Sequence, residues 1–240
     1  MFVQKLLWSQ ILILLGSSVE SFVVAGGSTR SVVLHETAAS TNSVLNPAYE
    51  IEKLPMRIGH GFDIHRMAPI AEAGQPIVIA GVQITHTPDQ KWVDVEGKYT
   101  DTPGAIFPTE LGVVAHSDGD VVYHSIVDAI LGALTLPDIG QVFPDTDARW
   151  KGCDSSKFME EAYRIMNEYG YSLGNVDVTL ILERPKVASF KPAMKENIVR
   201  LLHTTPGRVN IKARTHERVD SVGELRSLAC HVVLTLVRND

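Results

Sequence analysis

Asp63 and His65 stand one residue apart at the end of the stretch Arg57-Ile58-Gly59-His60-Gly61-Phe62-Asp63-Ile64-His65. In an extended strand that spacing turns both side chains to one side. Much further on, His124 lies in a run with helical apolar spacing, on a face it shares with Asp120 and Asp128 at four-residue steps. Two imidazoles and one carboxylate fill three positions around a tetrahedral ion and leave the fourth open. That is the arrangement of a catalytic rather than a structural zinc. An Asp-x-His pair alone is a common accident, and an isolated helical His is ordinarily a core or surface residue. The set gains weight because His116, Ser117, Asp118 and Asp120 crowd the approach to His124. Asp128, one turn beyond, is placed to orient the His124 ring as an outer acceptor, or else is an ordinary exposed acid.

The elements that must hold these groups are legible in outline. Arg57 to Phe62 reads as a short strand, and Ile77 to Val82 as a second, β-branched one. Val121, Val122, Ile126, Val127, Ile130, Leu131 and Leu134 predict a helix over 118–134, with Ser117 as N-cap and Asp120 completing a variant capping box. A second helix is expected from Ser155 to Tyr169, stopping at Gly170, and a third from Pro192 to Leu202. Strands are expected at Val176–Leu182, Val209–Ala213 and Ala229–Val237. Strands alternating with helices imply an α+β fold, an α/β sandwich with a mixed sheet covered by helices on one side. Thr85 to about Glu110 breaks the pattern: it is irregular, charged and carries Pro88, Pro103 and Pro108, as a loop insertion does.

The chain of 240 residues is 45% hydrophobic with a net charge of -6, which argues against a nucleic-acid partner. A small phosphorylated substrate, needing only local cations, remains open. Cys153 and Cys230 have no metal-type spacing and cannot build a disulfide framework. The first 55 residues differ from the rest. Residues 1–21 carry Lys5, an apolar core and small residues, like a signal peptide; 22–55, rich in Ser, Thr and Ala from Phe22 to about Asn46, is like a disordered transit peptide. That order resembles the bipartite leader of algae with secondary plastids, and implies a plastid address, with a secreted protein as the alternative. The folded domain is then expected over 56–240, with no membrane-spanning segment in the mature part.

Taken in order, the Arg57–His65 stretch, Ala115-His116-Ser117-Asp118-Gly119-Asp120-Val121, Asp138-Ile139-Gly140, Phe143-Pro144-Asp145-Thr146-Asp147 and Gly174-Asn175-Val176-Asp177 resemble the cyclodiphosphate synthases of the methylerythritol phosphate pathway. The likeness runs from about Met56 to Val237. It implies that Asp63, His65 and His124 hold zinc, and that His116 and Ser117 belong to the loop closing over the substrate's 2-phosphate. Asp138 and Gly140 then hold the methylerythritol hydroxyls, with Phe143 and Asp145 bordering the same pocket. Pro185, Lys186 and Val187 wrap the cytosine, which Ala213 also faces; Arg214 lies beside it and Thr215 contacts phosphate. Glu217 holds a second divalent ion, magnesium or manganese, on the substrate diphosphate. Without the resemblance, Lys186 reads as a solvated loop cation and Glu217 as a surface acid.

The resemblance further implies a homotrimer with active sites between subunits, a cytidine diphosphate ester as small-molecule substrate, and a cyclic diphosphate plus CMP as products. Arg214 and His216 follow the plant-like pattern. Glu224 replaces an Arg that lines the trimer axis in some bacterial members, so isoprenoid diphosphate binding there is not expected. The sequence holds no G-x-S-x-G elbow and no P-loop, in keeping with a reaction that needs neither a protein nucleophile nor ATP. Two other readings use the same three ligands: a zinc phosphoester hydrolase, and a non-catalytic trimeric protein that zinc merely stabilises.

Overall fold

The computed structural model describes residues 45, 47, 49–84, 110–144, 146–147, 150 and 152–240. The signal-like segment, most of the transit-like one, insertion residues 85–109 and Asp145 lie outside the described residues. In chain order the elements are β1 (Met56–Pro69), α1 (Ile70–Ala73), β2 (Ile77–Ile79), β3 (Val82–Ile84), β4 (Leu111–Val114) and α2 (Val121–Ala133). They continue with α3 (Ile139–Val142), α4 (Ser156–Glu168), β5 (Tyr171–Ile181), α5 (Lys191–Leu201), a 3-10 turn at Pro206–Arg208, β6 (Val209–Arg214) and β7 (Ser227–Arg238). Five strands form one sheet in the order β4-β1-β7-β5-β6. Only β5 and β6, joined through α5, run parallel, so the sheet is mixed.

Alternation along β1 decides which face is covered. Arg57, Gly59 and Gly61 turn inward and are buried, whereas Ile58, His60, Phe62 and Ile64 turn outward and are exposed. In β7, Val232, Leu234 and Leu236 are buried while His231 and Val233 are exposed. The helices therefore lie on one side of the sheet, and the central part of the other side is open. At one end of that open face Ile181, Val222 and Ala229 form a small buried cluster of their own.

Helix α2 is the centre of the core, with Ile126, Val127, Ile130 and Leu131 fully buried. It can lie hard against β1 because that strand carries glycines where the two backbones meet. A Cβ on Gly59 would sit 1.8 Å from the Ala129 carbonyl oxygen, and one on Gly61 would sit 1.9 Å from that of Ser125. No side chain fits there.

Several expectations are corrected. The run from Ile77 to Val82 is not one strand but the hairpin β2–β3, turning at Ala80 (φ 48°) and Gly81 (φ 70°). Asp120, not Ser117, is the N-cap of α2: its carboxylate accepts from Val122 N and Tyr123 N, and the helix starts at Val121. The same carboxylate accepts from Ala80 N and Gly81 N, pinning the hairpin to the helix start. Its complete burial pushes its pKa up to about 6 despite those donors. Some contacts with the domain also reach ahead of Met56. Leu45 and Ile51 pack on the core, Tyr49 OH donates to the Thr135 carbonyl, and the Leu54 carbonyl accepts from Tyr171 OH. Cys153 and Cys230 are free thiols. Among the described residues no helix is long and apolar enough to cross a membrane.

Candidate metal centre

The close contact of α2 with β1 delivers His124 to the strand end that carries Asp63 and His65. Asp63 Oδ2 lies 3.1 Å from His65 Nε2 and 3.0 Å from His124 Nδ1, and the two nitrogens are 3.3 Å apart. The three donor atoms thus form a nearly equilateral triangle. Ligands of a tetrahedral zinc, at bonds of about 2.0–2.1 Å, stand about 3.3 Å from one another, so the triangle fits one face of such an ion. The side chains are 24% (Asp63), 17% (His65) and 12% (His124) exposed, which keeps the fourth direction open towards solvent. Among the described residues no other group of three such side chains comes together. Burial favours a neutral Asp63, but hydrogen bonds from His124 and His65 and their charge outweigh it and hold the carboxyl well below the usual range. Asp63 is therefore ready as an anionic ligand.

The back of His124 is as closely held as its front. Its Nε2 lies 2.9 Å from Ser155 Oγ and 3.2 Å from Ser117 Oγ. Ser155 Oγ in turn donates a very short hydrogen bond to Asp118, whose other oxygen accepts from Ser155 N at 3.0 Å. Asp128 does not take the outer-acceptor place considered for it. Its carboxylate accepts from Ile139 N at 3.2 Å, because one helical turn carries it past the ring and towards α3. Phe158 packs 5.7 Å from the His124 ring, and Phe143 and Trp150 close on Phe158 at 4.9 and 5.6 Å between ring centroids. Phe143 thus supports the site from behind rather than presenting its ring to solvent. Ser155 escaped the sequence reading because a serine at a helix start looks like a cap, yet its side chain caps nothing.

The other expected residues fall into two places. His116 is exposed in the loop between β4 and α2, beside Ser117. Asp138 caps the short α3 by accepting from Gln141 N, with exposed Gly140 inside it. These border the metal triangle's side of the molecule. Pro185, Lys186 and Val187 follow β5, with Lys186 exposed and Val187 buried, and Ala213 and Arg214 end β6. Beyond them Thr215 Oγ1 donates to Glu217 Oε1 at 3.2 Å across a turn in which Glu217 has φ 49°. The second group stands apart from the first within one chain. Asp63 is level with Cys230, Cys230 with Leu180 and Leu180 with Ala213, so the two groups are three strands apart, about 14 Å.

Comparison with known proteins bears directly on this arrangement. Residues 95–237 match the model of the YgbB family. The chain is 51% identical to the chloroplastic 2-C-methyl-D-erythritol 2,4-cyclodiphosphate synthase of Oryza sativa subsp. japonica, over 77% of this chain and 71% of that protein. It is 46% identical to the chloroplastic enzyme of the same name from Arabidopsis thaliana, over 87% and 78% of the two chains. Among solved structures, the CDP complex of Plasmodium falciparum IspF superposes with a TM-score of 0.61 at 29% identity, covering 79% of this chain and all of that one.

Proposed function

This chain belongs to the 2-C-methyl-D-erythritol 2,4-cyclodiphosphate synthase family, and from that premise we propose how its own residues carry out the family reaction. The enzyme converts 4-diphosphocytidyl-2-C-methyl-D-erythritol 2-phosphate into 2-C-methyl-D-erythritol 2,4-cyclodiphosphate and CMP, a step of isoprenoid precursor synthesis. One observation carries the assignment of the site: the Asp63, His65 and His124 donor triangle, open on one side.

An N2O donor set of this shape suits zinc, and the carboxylate of Glu217 suits magnesium or manganese; bound there, the cations supply Lewis-acid neutralisation of the substrate's phosphate oxygens. The remaining work is positioning. Asp138 and the Gly140 backbone hold the methylerythritol hydroxyls, and His116 and Ser117 enclose the 2-phosphate. Pro185, Lys186, Val187 and Ala213 hold the cytosine, with Arg214 and Thr215 along the phosphates. An oxygen of the 2-phosphate then attacks the β-phosphorus, a new P–O bond closes the ring, and the bond to the α-phosphate breaks with its electron pair leaving on CMP. Holding both phosphates in one pocket turns ring closure into an oriented intramolecular step. No side-chain nucleophile is required.

The protein works as a trimer in this proposal. Two facts support it. The cytidine-binding group stands three strands from the metal triangle in one chain, so a neighbouring chain must bring its own group alongside. The open sheet face also leaves large apolar side chains uncovered, Ile58 at 66% exposure and Phe62 and Val233 at 48% each, which is more than a lone subunit commonly exposes in one patch. The plastid is the proposed location, in line with the chloroplastic relatives, with the signal-like and transit-like N-terminal segments as the address.

Incubation with the cytidylyl substrate, zinc and magnesium, followed by phosphorus NMR, tests the reading. The expected outcome is cyclic diphosphate and CMP in equal amounts, with both lost in His124→Ala. Inorganic phosphate or a linear sugar phosphate instead would mark a zinc hydrolase and overturn it.

A further inference from the structure

We propose that the chain carries a second small-molecule site, remote from the metal centre, which takes a small carboxylate with a flat apolar body. The last turn of α4, the loop following α5 and the first residues of β5 enclose a cavity of about 200 Å3. Along α4, Met166 in this cavity is three turns, about 16 Å, from Ser155 beside His124. None of the residues given a part in the synthase reaction lines it. The site therefore stands or falls independently of that reaction.

Arg208 supplies the recognition. β6 pairs with β5 only from Val209 opposite Val176, so the earlier residues of β5 have no β6 partner on that edge. Arg208 Nη1 donates to the Leu173 carbonyl there at 2.7 Å. Anchoring by that one nitrogen aims the guanidinium, and its Nε–Nη2 edge has no acceptor among the described residues. Two N–H groups point the same way from such an edge, the fork that meets a carboxylate with two bonds. The floor is apolar, with Met166, Leu173 and Leu202 all buried. Water there finds few partners, whereas an apolar body gains by leaving solvent. Tyr163 and His203 stack with ring centroids 4.5 Å apart and planes at 32°, and this pair walls one side with flat surface. Phosphate is the poorer fit. Both α4 and α5 end beside the cavity, and the partial negative charge of their carbonyl ends favours one anionic charge paired with Arg208 over two.

Benzoate is a suitable probe, a single ring bearing one carboxylate. Isothermal titration of the zinc-loaded protein with benzoate should give saturable binding of one molecule per chain, with a Kd of about millimolar, ordinary for so small a ligand. Arg208→Gln should weaken it about tenfold or more, through loss of the charge-assisted bidentate pair. Thr205→Trp, which sets a bulky ring on the exposed rim of the cavity, should weaken it as well and decides the matter if Arg208→Gln fails to fold. Excess CMP should leave benzoate binding unchanged, and inorganic phosphate at the same concentrations should bind more weakly than benzoate. Zinc content and turnover of both variants should match the wild type, since neither residue belongs to the reaction site. The proposal is overturned by any of four results. These are no saturation by tens of millimolar benzoate, wild-type affinity in the folded variants, displacement by CMP, and phosphate binding as tightly as benzoate. Loss of zinc or turnover in the wild type would bear on the metal centre and not on this cavity.

Discussion

At the scale of single residues, the ligand set works because each donor is prepared before an ion arrives. Asp63 is held ionised by its two imidazole neighbours, and His124 is gripped from behind by hydroxyls. Glu217 is different. It is exposed, in a turn with positive φ, and among the described residues Thr215 alone steadies its carboxylate, which fits the proposal that it meets its ion together with the substrate. Glu217→Gln should raise the magnesium needed for half-maximal rate by about tenfold, or ~1.4 kcal/mol, through loss of a charged oxygen ligand. Titration of initial rate against magnesium checks this, and an unchanged curve would remove Glu217 from that role.

At the scale of elements, the metal triangle is a product of how closely α2 lies on β1. Gly61 contributes no chemistry, yet its missing Cβ sets that distance. Gly61→Ala must push the Ser125 carbonyl away, which shifts the turn carrying His124. The expected result is a loss of ~1–3 kcal/mol in unfolding free energy, as for overpacked cores, together with weaker zinc binding. Denaturant melts and chelator competition on one preparation check both; a variant with wild-type stability and affinity would show that the contact is not what sets the site. This level was legible in part. Periodicity located the three long helices and every long strand, and the Asp-x-His spacing located two ligands, because those signals are local. The docking of the Ala80–Gly81 hairpin on Asp120 and the outer partner of His124 were not legible, because they depend on contacts between distant segments: Asp120 with the hairpin, Ser155 with Asp118 across 37 positions. The cap at Asp120 is local, and Ser117 three residues earlier was an equally good cap by residue type. The reassigned Asp128 makes the same point, since helical spacing fixes a residue's face but not what packs against it. The binding roles proposed for Pro185–Val187 and Glu217 rest on the resemblance alone.

At the scale of the whole molecule, the open side of the sheet is the feature a single chain does not explain. Its rows alternate apolar and polar groups: Ile58 beside Thr235, His60 beside Val233, and Phe62 beside His231. His60 Nε2 and His231 Nδ1 are 3.2 Å apart, so these two exposed rings are paired with each other within the chain. A surface prepared in this way fits burial against copies of itself around a three-fold axis. Val233→Glu places a charge in its middle and should yield a monomer by light scattering. If the sites are shared between chains as proposed, the monomer should still bind zinc at Asp63, His65 and His124, which one chain supplies, but lose turnover. An active monomer would contradict shared active sites.

The account stands on one ion held by three side chains with a place left for phosphate. Diffraction from crystals grown with zinc, recorded at the zinc absorption edge, tests this most directly. The predicted result is one strong anomalous peak per chain, about 2.0–2.2 Å from Asp63, His65 Nε2 and His124 Nδ1, with no fourth protein ligand. A peak bound elsewhere, a fourth side chain closing the shell, or no peak in a protein that turns over would contradict it.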